Sequence, residues 1–271
     1  MEITVCAGSV PEIWVEQMAR CEWRAGPFLA RALREGRFEA LYGPGARVLL
    51  LTEGEELISY CTYAAQDEIP DPALTPWAGF VHTDPAHRGR RRAGLLLQRA
   101  YALAKAEGHQ WLYLSTEEIG LYEKYGFTFW QVMRDRHGSE TRVYRMAIRH
   151  RDDSGILGKL VSGTVDRPLG SRHPRHPDMV YPLNYGYVDG VIAGDGAEQD
   201  VYLFGADGPL ERFSGRVTGV YHRLNDCEDK WIVSVDGRVP GREEVLERIA
   251  FQEQYFMGEL VMADRPDPDA L

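Results

Sequence analysis

Four arginines and two glycines fall within the seven residues RGRRRAG, from Arg88 to Gly94, and an apolar helical run follows at once. A strand, a glycine-bearing turn and a helix N-terminus together make an anion site. The first amides of a helix have no intrahelical acceptor, and the helix dipole adds partial positive charge. Gly89 admits a close backbone approach. Arg88, Arg90, Arg91 and Arg92 supply charge and forked donors that match phosphate. The same residues can equally make a solvated basic start to a helix. A second constellation has the opposite sign. Asp195 and Asp200 bound the turn DGAEQD, and Asp226, Glu228 and Asp229 crowd another turn. Hard divalent cations are held by carboxylate oxygens converging from short turns. Aspartates beside a glycine such as Gly196 also shape turns with no ligand at all.

The elements that must position these residues differ between the two halves. The first half alternates in type. A strand is predicted at about 2–6, helices near 10–21 and 27–38, and a hairpin in RVLLLTEGEELISYCTYAAQ. PWAGFVHT is a further strand, and residues 92–107 have the apolar spacing of a helix. WLYLST reads as a strand, EEIGLYEKY as a short helix, and FTFWQVMRD with TRVYRMAI as a strand pair. Residues 150–158 are polar and glycine-punctuated, the texture of a linker. Beyond it, five short β-rich runs cut by Gly, Pro and Asp predict a small barrel. One helix is predicted over 242–260, and residues 261–271 read as a flexible tail.

Bulk properties set bounds. The 271 residues are ample for two domains. The net charge is −10, but residues 1–150 hold 18 basic against 19 acidic residues, and residues 151–271 hold 13 against 22. That asymmetry points to two domains with different partners and argues against nucleic-acid binding by the acidic half. No apolar run approaches a membrane span, and MEITVCAGSV lacks the layout of a signal peptide. Cys6, Cys21, Cys61 and Cys227 are scattered, as expected of reduced thiols in a cytoplasmic protein.

The ordered motifs FVHTDPAHRGRRRAGLLLQRA, WLYLST and GLYEKYGF make residues 1–149 resemble the GNAT N-acetyltransferases. The motif of that family, Gln/Arg-x-x-Gly-x-Gly/Ala, falls on Arg88, Arg91 and Ala93, with Arg91 in place of the usual Gly. The resemblance implies an α/β (α+β) fold and acetyl-CoA as co-substrate. It implies that the amides of Arg88, Gly89, Arg90, Arg91, Arg92 and Ala93, with Gly94 beside them, hold the pyrophosphate. It implies further that the backbone of Val81 and Thr83 pairs with the pantetheine arm as an added strand does. Tyr122 matches the family tyrosine that protonates the departing thiolate, and a phenol near the sulfur suits that role. For the base that deprotonates the amine, Asp67, Glu68, Glu117 and Glu118 are candidates, with Glu117 favoured. The acceptor is a small-molecule or peptide amine that the sequence leaves unidentified.

GTVDRPLGSRHP, VYPLNYGYVDG, AGDGAEQDVY and VYHRLNDCEDKWIV come in this order, and residues 159–260 resemble a shortened, divergent family I inorganic pyrophosphatase. That implies a small β-barrel with one C-terminal helix, and Mg2+ held by Asp195, Asp200, Asp226 and Asp229. The family turn Asp-x-Asp-Pro-x-Asp here reads Asp195-Gly196-Ala197-Glu198-Gln199-Asp200, so the middle acid is missing unless Glu198 replaces it. The family lysine falls on Trp231, next to Lys230, and a terminal Tyr-Lys becomes Tyr255-Phe256. Loss of a water activator and of a phosphate cation costs on the order of 10²-fold each. The expectation is therefore an N-acetyltransferase carrying a barrel of weak or altered pyrophosphatase activity that binds a divalent ion or a phosphorylated ligand. Two alternatives stand beside it: a bifunctional enzyme that also hydrolyses a phosphoanhydride with Mg2+, and a barrel that is a non-catalytic binding or assembly module. The sequence leaves the oligomeric state open.

Overall fold

A computed structural model describes residues 1–263 of the chain and divides it into two units, one running from Met1 to His150 and one beginning at Arg151. In the first, β1 (Glu2–Ala7) leads to helices α1 (Glu12–Arg20), α2 (Ala25–Arg34) and α3 (Phe38–Tyr42). The hairpin β2 (Arg47–Glu53) and β3 (Glu56–Ala64) follows, then β4 (Trp77–Thr83), α4 (Arg92–Ala106), β5 (Trp111–Thr116), β6 (Thr128–Arg134) and β7 (Glu140–Ala147). These strands form one sheet in the order β1-β2-β3-β4-β5-β7-β6. Strands β2 and β3 are buried almost throughout, as expected of strands covered on both faces. Val48 and Leu50 pack with Val15, Met18, Leu29 and Tyr42 of the three helices. The alternating residues Leu49 and Leu51 point the other way, where α4 crosses β2, β3 and β4.

One pairing matters for function. β4 and β5 are parallel neighbours, but their register holds only at Trp77↔Tyr113. Past that point the strands separate. β4 is also irregular against β3: Tyr60 faces His82 and Thr62 faces Gly79, so Phe80 and Val81 together oppose Cys61. Phe80 sits at a left-handed φ of 49°, uncommon for a bulky residue. Its ring is held by Tyr42 at 5.4 Å, Trp23 at 6.2 Å and Phe28 at 6.4 Å. The segment expected as a helix at 117–125 is an extended turn followed by a single 3-10 turn, Tyr122–Tyr125.

The second unit is a closed five-stranded barrel. β8 (Leu160–Arg167), β9 (Asn184–Ile192), β10 (Glu198–Phe204), β11 (Arg212–Arg223) and β12 (Asp229–Ser234) run in the order β12-β10-β9-β8-β11, and β11 pairs with β12 to close it. Val201 and Leu203 join one core with Val161, Phe213, Val217 and Val233. Their neighbours Tyr202 and Phe204 join another with Val245 and Ile249 of α5 (Arg242–Glu253). β8 and β9 approach closely at two glycines. A Cβ on Gly163 would lie 1.9 Å from the Tyr187 carbonyl oxygen, and one on Gly186 would lie 2.0 Å from that of Thr164.

Two expectations are corrected here. The helix predicted to 260 ends at Glu253, and Gly258–Met262 form a strand, β13, on the edge of β11. Val261 and Met262 therefore belong to the barrel unit, and the expected tail lies outside the described residues from 264 onward. The segment expected as a linker is built into the second unit. Asp153 is buried, Ile156 and Leu157 pack against the barrel core, and Gly158 donates its amide to the Val217 carbonyl at 2.8 Å. Its polar composition conceals that Asp153 has a buried partner, His222. All four cysteines are free, and no described helix is long and apolar enough to cross a membrane.

Candidate functional site

The end of β4, the turn into α4 and the 3-10 turn at Tyr122 enclose a cavity of about 580 Å³. Val81, Thr83, Arg88, Gly89, Arg91, Arg92, Ala93, Glu117 and Tyr122 line it, so most of the residues singled out in the first half meet there. Arg90 and Gly94 do not line it. Arg90 is exposed, and Gly94 is buried under Tyr125, where a Cβ would come within 2.7 Å of the ring. Gly94 thus lets the start of α4 pack against the tyrosine turn.

The turn is built locally. Asp84 accepts the amide of Ala86 at 2.9 Å and caps the short 3-10 turn Pro85–His87. Arg88 reaches back through Nε to the Thr83 carbonyl at 3.1 Å. Gly89 has φ 77°, and Arg91, the N-cap of α4, has φ 54°. Position 91, where the GNAT motif has glycine, therefore takes the left-handed conformation that glycine favours. The Arg91 side chain is fixed by a 3.0 Å bond to the Lys124 carbonyl and by stacking 5.5 Å over Tyr125. Arg92 begins α4, and its Nε is buried with no hydrogen-bond partner among the described residues. A buried cationic donor without an acceptor, beside the free amides of a 15-residue helix, fits a phosphate group.

Tyr122 is 7 % exposed, and burial pushes its phenol well above the ordinary range, with nearby acidic groups adding to the effect. It therefore stays protonated at any physiological pH. Trp23 stacks on His82 at 5.5 Å over the same cavity, and burial, then Arg88, lowers the His82 pKa. Glu117 and Glu118 line the cavity mouth and are exposed.

Asp67, one of four candidate bases in the sequence, has a distinct setting. Its carboxylate lies where β4 and β5 part. A Cβ on Gly79 would sit 3.2 Å from Asp67 Oδ2, and the Ser115 hydroxyl of β5 lies 3.5 Å from the same oxygen. Arg136 donates to the Asp67 carbonyl at 2.5 Å and pairs with Glu68 at 3.3 Å. Burial raises the Asp67 pKa to about 7; the hydrogen bond from the Glu68 amide opposes the rise, the Glu68 charge adds to it, and Arg136 opposes it. The bulge at Phe80 and the gap beside Asp67 escaped sequence reasoning. The only signal was Gly79, which leaves room for the carboxylate.

In the second unit the expected metal ligands do not converge. Asp195 is exposed and accepts the amide of Ala197 at 2.9 Å within its own turn. Glu198, the expected stand-in, accepts the amide of Gly190 at 3.0 Å. Asp200 pairs with Lys230, Asp226 pairs with Arg223 at 3.1 Å, and Asp229 pairs with Arg151 and with His222 at 3.1 Å. One Asp229 oxygen is buried without a hydrogen-bond partner among the described residues. Among the described residues, no three His, Cys, Asp or Glu side chains are grouped to hold a metal ion. The four expected Mg2+ ligands are thus not brought together among the described residues, and of them Asp200 is the one that meets Lys230. A buried ammonium already touches the carboxylates of both turns, and a divalent cation in contact with the same oxygens would meet strong like-charge repulsion.

Residues 44–129 match the model of the acetyltransferase (GNAT) domain. The matched residues lie within the first unit. Among solved structures, the chain is similar to the aminoglycoside 6'-N-acetyltransferase from Enterococcus faecium, at 14% identity over 56% of this chain and 100% of that one, with a TM-score of 0.42. It is similar to an aminoglycoside 6'-N-acetyltransferase complexed with coenzyme A, at 15% identity over 56% and 100% of the two chains, with a TM-score of 0.43. The remaining part is similar to an inorganic pyrophosphatase from Neisseria gonorrhoeae, at 20% identity over 38% of this chain and 81% of that one, with a TM-score of 0.29. No curated protein matches the chain.

Proposed function

We propose that the first unit transfers an acetyl group from acetyl-CoA to an amine. The observation that carries this is the cavity that joins the α4 N-terminus, with its partnerless Arg92 Nε, to the Tyr122 phenol. The GNAT match over 44–129 supports it. In this reading the amides from Arg88 to Ala93 and the Arg92 side chain hold the pyrophosphate, and the backbone of Val81 and Thr83 pairs with the pantetheine arm. The thioester then faces the gap between β4 and β5. Glu117 and Glu118 draw a cationic amine to the mouth, and Asp67, at the base of the gap, takes the amine proton directly or through one water. The amine nitrogen bonds to the acetyl carbon, the carbon–sulfur bond breaks, and Tyr122 gives its proton to the departing thiolate. Glu117, favoured from the sequence as the base, is too solvated for that task. A carboxylate is a better base when it is desolvated. Thiol release from acetyl-CoA over a panel of amines tests the reading. Well-folded protein with no calorimetric affinity for coenzyme A would defeat it.

For the second unit we infer a binding module with weak phosphoanhydride hydrolysis at most. What supports this is a cavity of about 1110 Å³ that His173, Arg175, His176 and Arg223 share with Tyr255 and Phe256. A phosphorylated small molecule suits the basic and aromatic part of that lining. Phosphate release in Mg2+, compared between wild type and Asp200→Ala, tests it. Brisk turnover abolished by the substitution would overturn it.

A further inference from the structure

Lys230, the second residue of β12, is 1 % exposed, an unusual place for an ammonium group. Its Nζ touches Asp200 of β10 and lies 2.5 Å from Glu228 Oε2 in the turn before β12. It therefore bridges the two acidic segments that the sequence marks as a cation site. Glu228 Oε2 is shared with Arg223 at 3.0 Å, and Arg223 also makes two 2.8 Å bonds to Glu253 and lies over the Phe256 ring at 3.6 Å. Both cations are buried and both are backed by aromatic faces, since the Tyr185 ring lies 5.8 Å from Lys230 Nζ. A hard divalent ion needs carboxylate oxygens free to turn toward it. Here Asp200 and Glu228 already turn toward an amine on the same chain.

We propose that Lys230 is a tethered cation. Its ammonium occupies the place between the two acidic segments that a divalent ion would take, so the second unit keeps its acid cluster intact without metal. Removing the lysine frees Asp200 and the side of Glu228 that Arg223 does not hold, and only then can a divalent ion approach them. This does not depend on the acetyl-transfer reading of the first unit.

Mn2+ is the probe, titrated into the full chain while the resonance of the free ion is followed by electron paramagnetic resonance. Wild type and Asp200→Asn are expected to bind Mn2+ alike. Lys230→Ala, and Lys230→Gln as the less disruptive change, are expected to gain one site on the order of tenfold or more tighter than any in wild type, because a like charge has left contact distance. Adding Asp200→Asn to either variant removes that site. The proposal is overturned if wild type binds Mn2+ and loses it on Asp200→Asn. It is also overturned if a folded lysine variant binds no more Mn2+ than wild type. Should neither lysine variant fold, the comparison of wild type with Asp200→Asn decides: equal binding upholds the proposal, and loss on substitution overturns it.

Discussion

Replacing Asp67 by asparagine should make the protein more stable and less active at once. The folded carboxyl is pushed up to about 7 from the ordinary 3.8, chiefly by burial. Between those two values the folded chain holds a proton that the unfolded chain releases, so stability falls as pH rises through that window and levels off above it. Each pK unit is about 1.36 kcal/mol, so the ionised carboxylate costs roughly 4 kcal/mol at pH 8 as a ceiling. The Asp67→Asn side chain would carry no such penalty. Its gain is smaller than the ceiling, because the carboxylate's contact with Ser115 and the bond from the Glu68 amide are lost or remade. The groups facing Asp67 are Glu68 and Arg136, with the buried Tyr42 hydroxyl near both acids. Thermal midpoints at pH 5 and pH 8 read the stability effect. The midpoint of Asp67→Asn should exceed wild type at pH 8, by more than at pH 5. The rate effect is read from thiol release across the same range. Wild-type kcat/KM should rise with a limb near pH 7, and Asp67→Asn should lose the limb and about 10² to 10⁴ in rate. A variant that keeps the limb and the rate, or that is less stable than wild type at pH 8, would refute both the burial argument and the assignment of the base.

Tyr122→Phe should lower turnover about 10²-fold with little change in coenzyme A affinity by calorimetry, and an unimpaired variant removes Tyr122 from the chemistry. Arg92→Ala should weaken coenzyme A binding roughly tenfold to a hundredfold, the worth of one charged hydrogen bond, with a shallower salt dependence. In the second unit, burial alone would lower the pKa of His222, but its hydrogen bonds to Asp229 and Asp153 outweigh that and raise it. The stability these contacts add is therefore full below the ordinary histidine value and fades as pH rises through the folded one. His222→Gln should flatten the midpoint-against-pH curve on that alkaline side.

Much of this was legible in the chain. WLYLST forms β5 over the same residues, and the helix read at 92–107 is α4 to within one residue, because each carries its own period and its own end signals. The glycine-bearing turn into α4 was legible for the same reason: a turn at a helix start is a local object. What stayed hidden depends on partners distant in sequence. Asp67 is unremarkable until Gly79 and Ser115 close around it, 12 and 48 residues on. The acidic turns were read as open to a cation from their spacing and from the resemblance to a pyrophosphatase. Lys230 was noted only as adjacent to the expected position, since nothing local announces that it points inward to Asp200. The 153–158 segment looked solvated because its composition does not reveal His222, 69 residues away.

That last segment has a practical meaning for anyone dividing the gene. A barrel expressed from residue 159 would start after Asp153 and after Ile156 and Leu157, leaving His222 with Asp229 as its one acidic partner and a greasy seam at its new terminus. The cut belongs between His150 and Arg151, where the guanidinium that meets Asp229 is still included.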